Sequence, residues 1–194
     1  MDYEFLIVGK GITGSILANN LAKITHKFKI IDYENVNSSS RVAAGIMHPM
    51  ALKRGMLSWR GKEFFKFSEK YYENFDRFHG TKFYKKHPLF RIFNSFEEQN
   101  NWTGKSSDYI YSSLISVNKT SVKNINHPYG SGVVNNAGRL SVVEFLDFLR
   151  NKYSQNISNK NFQFENLKFK NKFFLYEGDR FKKVFMCQGV NATK

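Results

Sequence analysis

Phe5-Leu6-Ile7-Val8 is an unbroken apolar run that stops at Gly9. Such a run predicts a strand buried on both faces of a parallel sheet. Ile12, Ile16, Leu17, Leu21 and Ile24 then recur at helical spacing, which predicts a helix with those residues on one buried face. Lys27 to Asp32 returns to strand character, so the first stretch reads as a strand-helix-strand unit of the length a right-handed crossover needs.

Farther along, a polar loop is expected from Asn35 to Arg41, followed by the small residues Val42-Ala43-Ala44-Gly45. Phe64, Phe67, Tyr71, Phe75 and Phe78 fall three or four apart and predict a long helix with an aromatic core stripe. Residues 82–137 carry shorter strand-like pieces such as Leu89–Phe93, a short helix near Glu97–Trp102 and a turn-rich stretch at 126–132. Ser141-Val142-Val143-Glu144 matches a capping box and opens a helix to about Tyr153. Strands are expected near 162–164, 173–176 and 184–187. The pattern predicts an α/β fold: a Rossmann-like three-layer domain built from residues 1–81 and 138–194, with a mainly antiparallel segment, 82–137, inserted between them.

Composition narrows the class. Of the 194 residues, 41% are apolar and 24% charged, which is globular rather than disordered. The net charge of +14 favours anionic partners, from phosphate-bearing cofactors and acidic substrates to nucleic acid, without choosing among them. Because the lysines are spread along the chain, a solvated surface is the simpler reading of them. One cysteine, Cys187, cannot form an internal disulfide, and the acidic start Met1-Asp2-Tyr3-Glu4 does not resemble a secretory signal. Both features suit the cytoplasm. No apolar run is long enough to span a membrane. Asn118-Lys119-Thr120 fits a glycosylation pattern only as chance would supply it in an Asn-rich chain.

The chemistry-bearing motif is Gly9-Lys10-Gly11-Ile12-Thr13-Gly14. A G-x-G-x-x-G pattern is weak by itself, but here it follows a buried strand and opens a helix, the context in which it binds a dinucleotide. Gly9 allows the tight turn, Gly11 the approach of a diphosphate to the backbone, and Gly14 close helix–strand packing. With Ile12 and Thr13 they form the start of a helix whose amides suit an anion. Asp32 closes the second strand, where a carboxylate accepts hydrogen bonds from ribose hydroxyls and repels a 2′-phosphate. NAD and FAD are not separated by this fingerprint. The following Ser38-Ser39-Ser40-Arg41-Val42-Ala43-Ala44-Gly45-Ile46-Met47-His48-Pro49 joins hydroxyls and an arginine, suited to a diphosphate or ribityl chain, to small residues suited to a flat ring.

In that order, these motifs resemble the D-amino-acid oxidase and glycine oxidase superfamily, in particular its small bacterial branch with an S-R-V-A-A-G-I signature. Pro88-Leu89-Phe90-Arg91, Gly138-Arg139-Leu140-Ser141 and Met186-Cys187-Gln188-Gly189-Val190-Asn191-Ala192 are similar to later pieces of that branch. The resemblance implies FAD as cofactor, held by Gly9, Gly11, Ile12, Thr13, Gly14, Asp32, Ser39, Ser40, Arg41, Ala44, Gly45 and Gly189. It implies oxidation of the C–N bond of an amine or amino acid by hydride transfer to the flavin. Arg91 is a candidate clamp for a substrate carboxylate, with an ordinary ion pair as the alternative. His48, His127 and the tyrosines 109, 111 and 129 are expected to have turn or packing roles. Family members continue well past Gly189, so the chain as given is expected to be an inactive fragment. Two other functions stay open: a flavin enzyme of tRNA modification, and a non-catalytic FAD- or nucleotide-binding fragment.

Overall fold

The computed structural model describes residues 1–33, 37–118 and 123–190. In chain order the elements begin with β1 (Asp2–Val8), α1 (Ile12–Leu21), β2 (Phe28–Asp32) and α2 (Ser39–Val42). Next come β3 (Ile46–Met47), β4 (Met50–Ala51), β5 (Met56–Leu57), α3 (Gly61–His79), β6 (Tyr84–Lys86), β7 (Leu89–Ile92) and α4 (Phe96–Ser106). β8 (Ile115–Val117), β9 (Ser131–Val134), β10 (Gly138–Leu140) and α5 (Val142–Lys152) follow. The chain ends on β11 (Ile157–Asn159), β12 (Lys168–Lys170), β13 (Phe173–Tyr176) and β14 (Asp179–Met186). Lys119 and Thr120 of the glycosylation-like triplet, the start of the Asn35–Arg41 loop, and Asn191-Ala192 lie outside the described residues.

The chain divides into two compact units. One joins Met1–Ala43 to the chain from Val142 onward; the other is Ala44–Ser141. The pattern-based boundary at 81/82 is therefore displaced to 43/44, and α3 goes with the middle of the chain rather than with the first segment.

The first unit is a mixed six-stranded sheet in the order β11-β2-β1-β14-β13-β12. β11, β2, β1 and β14 are parallel, and β12, β13 and β14 form an antiparallel meander. β1 lies inside the parallel part, with Leu6 beside Val184 and Lys29. Leu6, Ile7 and Val8 are each no more than 1% exposed, as an apolar run with no alternation demands. Alternation sets the two faces of the sheet. Phe28 and its neighbours on one face meet the helices, with Phe28 edge-on to Tyr153 at 5.7 Å. Leu6, Val8 and Ile31 on the other face pack with Tyr176 and Phe181. This face of the sheet is aromatic: Phe162 stacks on Tyr176 of β13 at 4.8 Å, and Tyr3 of β1 on its cross-strand partner Phe181 of β14 at 5.3 Å. The fold class is thus α/β and Rossmann-like.

Several sequence expectations change here. No strand forms at 162–164; Phe162 is spent on the ring stack, and strands form instead at 157–159 and 168–170. The buried face of α1 is made of Gly14, Ser15, Ala18, Asn19 and Leu21, while Ile24 is 75% exposed. Close packing onto the sheet favours small side chains, and of the large residues the spacing suggested only Leu21 is buried among the described residues of α1. The capping box is not completed, because the Ser141 amide donates to the Phe83 carbonyl at 2.8 Å and is not left for Glu144.

The second unit holds two three-stranded sheets, β3-β10-β6 and β7-β9-β8, and the hairpin β4-β5, all antiparallel. Its core gathers Met50, Phe93, Trp102, Leu114, Ile115 and Val134, with Tyr111 and Tyr129 packed against it. Tyr109 is exposed. The Trp102 indole N–H donates to the Ser116 carbonyl at 3.0 Å. Ser95 caps α4, accepting from the Glu98 amide at 3.2 Å. On α3 the aromatic stripe is corrected: Phe65, Tyr72 and Phe75 are buried, whereas Phe64, Phe67 and Phe78 are exposed.

Candidate functional site

β1 delivers the chain into the glycine turn. Gly9 has φ +102, a region side chains avoid, and a Cβ there would lie 2.4 Å from the Cys187 carbonyl oxygen. The Cys187 amide in turn donates to the Val8 carbonyl at 2.7 Å, so the end of β14 closes against the turn. A Cβ on Gly14 would fall 1.9 Å from the Gly9 carbonyl oxygen, which is why the helix can start so near the strand. At Gly11 the nearest atom to a Cβ would be the Ser40 hydroxyl, at 3.0 Å. The same hydroxyl accepts from the Ile12 amide at 3.0 Å. The amides of Thr13 and Gly14 make no hydrogen bond to a described residue. α2 therefore packs its serines against a helix start that still offers donors and a partial positive charge.

These elements border a cleft of about 450 Å³. Of the residues predicted from sequence, Gly9, Gly11, Asp32, Ser39, Ser40, Arg41 and Gly189 line it. Ile12 reaches it through its amide, bound to Ser40. Gly14 stands behind it as a packing contact, and Thr13 is exposed at the helix start. Ala44 and Gly45 belong to the second unit and are not among the lining residues. Arg41 forms an ion pair with Asp147 on α5, which fixes the guanidinium at the cleft wall. Asp32 is 28% exposed, and burial pushes its carboxyl above the ordinary value against the opposing charge of Lys10 and the hydrogen bond from the Lys10 backbone.

Sequence reasoning missed Lys10, Arg150, Tyr153 and Cys187 as parts of the wall. Only Lys10 carried a signal, since it stands inside the glycine motif. Cys187 is a free thiol that burial pushes upward from its usual value, which suits an unreactive group. Arg91 lies in the second unit and is engaged by Glu98, its Nε donating to Oε1 at 2.8 Å. Burial works against ionisation of Glu98, but the Asn94 amide and Arg91 together hold its carboxyl below the ordinary value. In this structure the guanidinium serves an ion pair. His48 Nδ1 accepts from the Met50 amide at 3.3 Å, a turn role. Among the described residues there is no cluster of three metal-ligating side chains, and no helix is long and apolar enough to cross a membrane.

Chemically, the cleft offers anion-binding amides at one point and, at the end of the neighbouring strand, a partly dehydrated carboxylate suited to hydroxyl groups. A glycine occupies the one position where a Cβ would crowd Ser40 at the helix start. This combination fits a diphosphate flanked by a ribose.

No family model matches the sequence, and no curated protein matches it. Solved structures do match in fold. L-Amino acid deaminase from Proteus myxofaciens superposes with a TM-score of 0.73 at 12% identity, over 98% of this chain and 46% of that one. Glycine oxidase from Geobacillus kaustophilus gives 0.67 at 15% identity, over 99% and 56%. L-α-Glycerophosphate oxidase from Mycoplasma pneumoniae, reduced and with FAD bound, gives 0.65 at 16% identity, over 95% and 53%. The chain has the fold of these solved oxidases and this deaminase. It spans about half the length of the solved chains it matches.

Proposed function

We propose that the chain binds FAD in the cleft of the first unit and serves the oxidation of the C–N bond of an amine or amino acid. The observation that supports this reading best is the juxtaposition of the Gly9–Gly14 turn, the Ser40 contact to the Ile12 amide and Asp32 around one cleft. The diphosphate is assigned to the amides at the start of α1, and the adenosine ribose to Asp32. Bound FAD supplies the acceptor for a hydride from the carbon next to the substrate nitrogen. The protein's own share is to bind and orient: Gly11 leaves room for the diphosphate, and Arg41, held by Asp147, adds positive charge. The first unit would be the FAD-binding domain and the second part of a substrate domain.

Flavin fluorescence quenching on titration of the purified chain with FAD tests the assignment. Asp32→Ala is expected to weaken binding by about one to two decades, the loss of a charged hydrogen-bond acceptor. Equal affinities would remove Asp32 from the site. Substrate class is tested by anaerobic flavin bleaching with glycine, sarcosine, D- and L-amino acids and glycerol 3-phosphate, using a polypeptide extended to the length of the solved oxidases. Bleaching by glycerol phosphate alone would overturn the C–N assignment.

A further inference from the structure

Asp32 shares the floor of the cleft with Lys10. The Lys10 ammonium lies 3.9 Å from Asp32 Oδ2 and donates to Asn159 Oδ1 at 2.9 Å. Asn159 stands opposite Asp32 in the register of β11 against β2, so one lysine ties the glycine turn to the ends of two strands. Its side chain is only 13% exposed. A lysine in the glycine turn would ordinarily reach into water, because withdrawing an ammonium from water is costly unless partners receive it. Nothing in diphosphate binding by backbone amides calls for a charged residue at this position.

We propose that Lys10 is a positioning residue for the nucleotide ribose, holding the Asp32 carboxylate in place and forming with it a donor–acceptor pair for a vicinal diol. The inference rests on the nucleotide reading of the cleft. Its chemistry is simple. An ionised carboxylate only accepts, an ammonium only donates, and a ribose hydroxyl does both. A hydroxyl seated between Lys10 and Asp32 satisfies all three groups. The ammonium also offsets the repulsion that Asp32 alone would exert on a phosphate-bearing ligand. Burial disfavours ionisation of Asp32, and Lys10 opposes it through its charge and its backbone N–H. Among the described residues, the other charged groups near this end of the cleft are Arg41, paired with Asp147, Arg150, and Lys160, paired with Glu177. The neutral titratable ones are Tyr33, Tyr153 and Cys187.

The test compares the whole chain with Lys10→Met and Lys10→Arg, both checked for folding by circular dichroism. At neutral pH, Lys10→Met is expected to bind FAD about tenfold more weakly, and Lys10→Arg to recover most of the loss. FMN, which has no adenosine ribose, should bind parent and variants alike. Without any nucleotide, a carbon-13 NMR titration should show the Asp32 midpoint moving upward in Lys10→Met and staying close to the parent in Lys10→Arg. Because binding needs the carboxylate, the affinity of Lys10→Met should fail at a higher pH than that of the parent as the pH drops. Equal FAD affinities, or an unmoved Asp32 midpoint, would overturn the role of Lys10 and leave FAD binding standing. A parent that ignores FAD but binds ADP-ribose in a Lys10-dependent way would overturn FAD and uphold Lys10. Binding of neither nucleotide would overturn both.

Discussion

Gly14→Ala is expected to unfold the first unit or to cost it about 3 kcal/mol or more. Two opposing effects decide the sign. Alanine is the better helix former by about 1 kcal/mol, which alone would stabilise α1. The added Cβ, however, would sit 1.9 Å from the Gly9 carbonyl oxygen, and that obstacle is backbone, not the end of a flexible side chain. Gly9 is itself fixed, with its Cα facing the Cys187 carbonyl. Relief would require moving α1 off the sheet, which opens the core beneath Ala18 and displaces the amides of the cleft. Urea unfolding followed by far-ultraviolet circular dichroism measures the loss, and FAD titration should show binding abolished. A variant with an unchanged midpoint and unchanged FAD affinity would show that the helix start tolerates displacement.

The second large effect is expected in the other unit. In Gly132→Ala the new Cβ would lie 2.3 Å from the Trp102 indole. Trp102 is 4% exposed and bound to the Ser116 carbonyl, so turning the ring away sacrifices a hydrogen bond and repacks Phe93, Ile115 and Val134. A destabilisation of about 2 to 4 kcal/mol follows from overpacking plus the lost bond. Fluorescence reads it directly. Trp59 is 78% exposed and emits as a solvated indole, leaving Trp102 as the blue-shifted component. The variant should lose that component at lower urea than the parent. FAD affinity should survive, because the described residues that line the cleft all belong to the first unit. Loss of FAD binding in Gly132→Ala would mean that the two units do not behave separately.

What could be read from the chain followed the range of the interactions. The strand, glycine turn and first helix are encoded within Phe5 to Leu21, and short-range signals suffice for them. Asp32 is legible because it ends the next strand of the same unit. Lys10 is not, since its meaning depends on Asp32 and on Asn159, which only the completed sheet brings alongside. α3 shows a different failure. Its doublets Phe64-Phe65 and Tyr71-Tyr72 offer two aromatic faces at the same helical period, and only packing chooses Phe65, Tyr72 and Phe75. The boundary between units was misplaced for a similar reason: a hydrophobic helix looks alike whichever core it joins. The place of Phe162 was not legible because its stack on Tyr176 depends on β13, which only the completed sheet brings alongside.

The central position of β1 has a consequence for how the chain is made. β1 is synthesised well before β14, its partner along Asp2 to Val8, which begins only at Asp179. At translation rates of about 5–20 residues per second, the apolar strand Phe5–Val8 waits roughly 10 to 30 s for that partner. Residues 44–141 are complete before β14 emerges and close on themselves through antiparallel pairings, short-range at β4–β5 and β8–β9 but long-range where β10 joins β3 and β6. Birth order and folding order thus differ along this strand: β2 pairs one edge of β1 soon after it is made, and the other edge stays open until β14 emerges. Until β14 arrives, Leu6, Ile7 and Val8 keep one unpaired edge, on the side opposite β2, the kind of surface that chaperones hold and that aggregates in their absence.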